Sequence, residues 1–75
     1  MSGKNDFGVN QNTRPEEAVK IAMERETNAR DFYLNSARIV ADPGVKKMFE
    51  FLAKEEAKHH ALLEREYDRF IAGEN

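Results

Sequence analysis

The sequence predicts an all-α protein: an antiparallel two-helix hairpin that dimerises into a four-helix bundle. Three observations predict it. Apolar residues recur at steps of three and four along two stretches of nearly thirty residues. Asp42-Pro43-Gly44 breaks the pattern between them, and no other Gly or Pro interrupts it. A chain of 75 residues seldom buries enough core to be stable alone, and needs disulfides, a metal or a partner. It has no cysteine. Disulfides, thiolate zinc sites and cysteine-held iron–sulfur clusters are therefore excluded, which leaves a metal on other ligands, a second chain, or both.

Residues 1–12 are rich in Gly and Asn and lack periodicity, so they read as an irregular tail. A first helix, α1, is expected over about residues 14–41. Thr13 and Glu16 have the capping-box spacing, and Pro15 is tolerated in a first turn, where its missing N–H has no helical partner. Pro43 disfavours helical geometry at Asp42, which makes Asp42 an N-cap and Pro43 the first residue of a second helix, α2, over about residues 43–72. Gly73 is placed to cap its end. Each helix would be on the order of 40 Å long. The short connection makes the two antiparallel neighbours.

Charge excludes some functions. The formal net charge is -2, with 35% charged residues, and there is no basic patch of the kind nucleic acid requires. No run approaches the roughly 18 apolar residues of a membrane span. The first dozen residues hold no apolar secretory segment, so a cytoplasmic location is expected.

Function is written on the inner faces. The α1 stripe reads Ala22, Glu26, Ala29, Tyr33, Ser36, Ala37 and Val40. The α2 stripe reads Val45, Met48, Phe49, Leu52, Glu56, His59, Leu63 and Phe70. Three ionisable residues sit inside these stripes. A buried carboxylate without a partner is costly, so Glu26 and Glu56 call for an ion or a counter-charge. Counted from Asp42, Glu26 lies 16 residues back, and Glu56 and His59 lie 14 and 17 residues on. All three therefore fall at about 21–26 Å from the turn, on one level of the hairpin. One hairpin supplies three ligands. Two related by a two-fold axis supply four carboxylates and two imidazoles, enough for two divalent cations. That is the ligand set of the di-iron and di-manganese carboxylate bundles. It suits iron or manganese, with zinc and cobalt also able to bind. Glu55 and His60 flank the pair and should face outward or sideways.

Glu26-x-x-Ala29-x-x-Phe32-Tyr33 in α1, Leu52-Ala53-x-Glu55-Glu56-x-x-His59 in α2, and the Asp42-Pro43 turn followed by Val45 and Phe49 resemble the ferritin-like superfamily, in the style of rubrerythrin and bacterioferritin. The resemblance covers roughly residues 16–70. Those bundles carry four helices in one chain, and this chain is similar to one half. It also resembles the encapsulated ferritins, half-bundles completed by pairing, whose extra C-terminal segment is not among these 75 residues. The resemblance implies Glu26 as a terminal carboxylate ligand, Glu56 as a bridging one and His59 as a terminal nitrogen ligand. It implies that Tyr33 orients a ligand carboxylate through its hydroxyl. It implies two iron ions per dimer, with manganese or zinc as alternatives, and oxidation of ferrous iron by dioxygen or peroxide. Rubrerythrins carry an additional Glu where this chain has Ala29, so the site is expected to be symmetric. These 75 residues include no cysteine-ligated rubredoxin-type domain, so a peroxidase cycle is expected to need an external reductant. The expected partner is a second copy, as a homodimer or higher homo-oligomer, with neither nucleic acid nor membrane. The competing readings are a non-catalytic hairpin interaction module, whose inner polar residues set register, and a metal-storage module without turnover.

Overall fold

The computed structural model describes residues 8–72. Within them the chain forms two helices and no strand: α1, Pro15–Ile39, and α2, Pro43–Ile71. They pack along one another as a hairpin joined by residues 40–42. No described helix is long and apolar enough to cross a membrane.

The start of α1 differs from the capping-box expectation. Arg14, not Thr13, is the N-cap, and it makes no side-chain capping hydrogen bond. Pro15 explains this. The residue before a proline is pushed out of helical geometry, and Arg14 accordingly has φ -71° and ψ 148°. Thr13 therefore cannot be followed by a helical Arg14. Its hydroxyl instead accepts from the Asn10 N–H at 2.8 Å, while the Thr13 N–H donates to the Asn10 carbonyl at 3.0 Å. The two bonds close a turn at the end of the tail. Glu16 pairs with the Arg14 guanidinium at 3.3 Å. Gly8, with φ +83°, takes a left-handed conformation that other residues rarely adopt. The remainder of the tail, residues 1–7, and the Gly73 cap lie outside the described residues.

The same proline rule works as expected at the turn. Asp42 precedes Pro43, is extended, and accepts from the Val45 N–H at 2.8 Å. Gly44 leaves room for that carboxylate, since a Cβ there would come within 3.2 Å of Asp42 Oδ1. The α1 helix ends at Ile39, two residues before the expected end, with Val40 as an extended C-cap. Lys46 Nζ reaches back across the turn to donate to the Ala37 carbonyl, one of the last-turn oxygens that a helix leaves unmatched.

The seam between the helices is narrow. Among the described residues only Ala37 and Ala53 are buried, each 4% exposed. Small side chains there let the two backbones come close. Toward the turn from the candidate ligands, three rings meet. Tyr33 stacks on Phe49 with centroids 6.0 Å apart, and Phe32 stands edge-on to Tyr33 and Phe49 at 5.7 and 6.2 Å. Phe32, Leu34, Ile39, Met48, Phe51 and Leu62 remain exposed. The hairpin thus carries far more apolar surface than its own seam can cover.

Candidate metal centre

The predicted level of the hairpin brings the three residues together. Glu26 projects from the middle of α1. Glu56 and His59 stand one turn apart on α2, where a spacing of three keeps both on one side. His59 Nδ1 lies 3.7 Å from Glu26 Oε1 and 3.7 Å from Glu56 Oε1. Donor atoms of all three residues fall within 4.8 Å of one another.

These distances do not describe a closed hydrogen-bonded cluster. At 3.7 Å the imidazole is beyond bonding distance of either carboxylate. Glu26 Oε1 is buried and has no hydrogen-bond partner. Leaving a buried acceptor unmatched costs about 1–3 kcal/mol, and more for a charged one. Neighbouring donors bound to one small cation at about 2.0–2.2 Å stand roughly 3.0–3.5 Å apart, slightly closer than these three. The group is therefore spaced for a cation at its centre, and small side-chain rotations would bring every donor into reach. Two carboxylate oxygens and one imidazole nitrogen suit iron, manganese or zinc.

The site opens to one side. The carboxylate side chains of Glu26 and Glu56 are 24% and 18% exposed, whereas that of His59 is 53% exposed. His59 therefore lies at the open edge of the α2 stripe. Met48 is nearly half exposed on the same helix. Among the described residues, none covers that edge.

Glu55 and His60, expected to face outward or sideways, are both half-buried, whereas His59 is exposed. Glu55 turns aside and accepts from Lys58 Nζ at 3.2 Å. His60 lines an open groove with Lys20, Met23 and Thr27 of α1. Tyr33 makes aromatic contacts within the hairpin, and its ring is fixed between Phe32 and Phe49. Phe49 was placed on the α2 stripe, but its partnership with Tyr33 was not anticipated from sequence. The signal was available: Tyr33 and Phe49 lie 9 and 7 residues from Asp42, which puts the rings on one level. Further along α2, Arg69 donates to both oxygens of Glu66, at 3.1 and 2.6 Å. That hydrogen bonding, with the guanidinium charge, holds the Glu66 carboxyl below its ordinary value.

A family model described as Rubrerythrin matches residues 9–75 of the chain, which is most of its length. No curated protein and no solved structure matches the chain significantly.

Proposed function

The chain belongs to the rubrerythrin family, and on that premise we propose that it is a ferritin-like half-bundle that binds iron and oxidises it. Two hairpins would pair through the open face of the ligand group. Each would contribute Glu26, Glu56 and His59, and together they would hold two iron ions, one per chain. Iron held there would supply the chemistry of ferrous-to-ferric oxidation, with dioxygen or peroxide taking up the electrons.

One observation carries the reading: Glu26 Oε1 is buried without a partner beside Glu56 and His59. The chain's own residues account for the rest. Glu26 and Glu56 offer hard anionic oxygens, which favour the ferric over the ferrous state. Four carboxylates from two copies balance two divalent charges. His59 sits at the edge where a second copy would close over it. Tyr33, fixed by its neighbouring rings, is assigned to orient a ligand carboxylate of the completed bundle. The exposed apolar side chains of the open face supply the reason to pair, since a hairpin that buries two alanines lacks a core of its own.

The test is stopped-flow absorbance after ferrous iron is added in air. Wild-type protein is expected to form ferric iron faster than the protein-free solution, and Glu56→Ala with His59→Ala to abolish the gain. Binding of iron with no gain in rate would make the protein a storage module. Neither binding nor oxidation would overturn the reading.

A further inference from the structure

Two large apolar side chains on α2 lie outside both seams of the proposed bundle. Phe51 and Leu62 are 59% and 60% exposed. They stand eleven residues apart, about three helical turns, and so share one line of the helix. Buried Ala53 marks the side of α2 that faces α1. At about 100° per residue, Leu62 lies roughly 180° from Ala53 and Phe51 roughly 160° from it. The metal face runs from Ala53 through Glu56 and Leu63 to His59, an arc of about 120°. Leu62 and Phe51 lie about 60–80° beyond His59. Angular position therefore sets them opposite the α1 side and past the His59 edge of the metal face.

The stripe that contains them is its own complement when reversed. It reads Lys47, Phe51, Glu55, Lys58, Leu62, Glu66, at steps of four, four, three, four and four. That spacing is a helix–helix seam in its own right. Lay a second α2 antiparallel along it, with a two-fold axis between the levels of Glu56 and Ala57. Phe51 then faces the partner's Leu62, Glu55 faces the partner's Lys58, and Lys47 faces the partner's Glu66. Each of these three pairs is apolar with apolar or acid with base, and Glu66 also accepts from Arg69 of its own chain. Within one chain Glu55 and Lys58 already pair at 3.2 Å. The axis would set two such pairs side by side with alternating sign, a network of four charges rather than one exposed pair. An isologous interface demands this self-complementarity.

We propose that this stripe is a second self-association surface, on which two copies pack α2 against α2 in antiparallel register. The surface is independent of the metal reading. Where both interfaces form, each chain carries two different two-fold contacts, and the protein assembles beyond the dimer in even numbers of chains.

The experiment measures the solution mass of the full-length protein, loaded with ferrous iron under anaerobic conditions, by sedimentation and light scattering. Phe51→Glu with Leu62→Glu is expected to lower the mass by half or more while helicity and metal per chain stay unchanged. Glu55→Lys alone should lower it too, because it sets lysines against lysines across the axis. Adding Lys58→Glu to that variant should restore it. The charge reversal decides the matter if the double glutamate variant does not fold. A wild-type dimer that becomes monomeric in Phe51→Glu with Leu62→Glu would support this surface and count against pairing on the metal face. Mass unchanged by Phe51→Glu with Leu62→Glu, or lowered by Glu55→Lys and not restored by the second reversal, would overturn it.

Discussion

At the turn, the polar groups that the chain draws together are matched by the same chain; at the level of Glu26 they are not. Asp42 caps α2 and Lys46 reaches the Ala37 carbonyl. Beyond the aromatic trio, Glu26 Oε1 is buried and unmatched, and His59 stands half in solvent. The turn needs only local chemistry, because Pro43 fixes the backbone and Asp42 supplies the acceptor. The middle of the hairpin leaves a buried acceptor unmatched. The contrast separates what the chain completes alone from what a metal and a second copy would complete.

The largest predicted effect removes that outside contribution. A metal present at about a thousand times its dissociation constant adds about 4 kcal/mol of stability. Wild-type protein should therefore melt at a clearly lower temperature with chelator than with iron or zinc. Glu26→Ala and Glu56→Ala should melt alike in both. Thermal unfolding followed by circular dichroism checks this, and a variant that keeps the metal-dependent shift would remove that residue from the ligand set.

Next comes the seam that both regions share. Ala53→Leu places three extra carbon atoms at a buried position of the seam between α1 and α2, and overpacking of this kind costs about 1–3 kcal/mol. The loss should appear with and without metal, which distinguishes it from a ligand variant. At the turn, Asp42→Ala should cost about 1 kcal/mol, and Asp42→Asn much less, because asparagine caps as well as aspartate. Chemical denaturation of the metal-free protein reads both.

How far the sequence was legible follows the same division. The turn was readable from Asp42 and Pro43, since one local rule sets both backbone and cap. The same rule, applied to Arg14 before Pro15, gives the true start of α1. The capping-box reading of Thr13 failed because a threonine hydroxyl serves a tight turn as well as a helix, and Asn10 was there to use it. The ligand level was readable because helical rise is constant, so counting from Asp42 aligned Glu26 with Glu56 and His59. Exposure was not readable. Periodicity placed His59 and Met48 on the inner stripe, but a stripe says nothing about what covers it. The outer line of Phe51 and Leu62 was likewise hidden, because a second apolar line on the same helix has the same period as the first.

The smallest predicted effect lies at the far end of α2. Hydrogen bonds from Arg69 lower the Glu66 carboxyl in the folded chain. Its contribution is thus present above the unfolded carboxylate value and is lost as pH falls through the lowered folded value. The pair is exposed to solvent, so Arg69→Ala should leave the melting temperature of the metal-free protein unchanged at neutral pH. A carboxyl titration by nuclear magnetic resonance should nevertheless show Glu66 moving up toward the ordinary range.

The central claim is that the three ligands of one hairpin form half of a site. Native mass spectrometry of iron- or zinc-loaded protein tests it most directly, because it counts chains and ions in the same particle. The expected species contain an even number of chains with one ion per chain, and Glu56→Ala with His59→Ala should carry none. A single chain that holds its ion alone, or paired chains that hold none after reconstitution, would contradict the account.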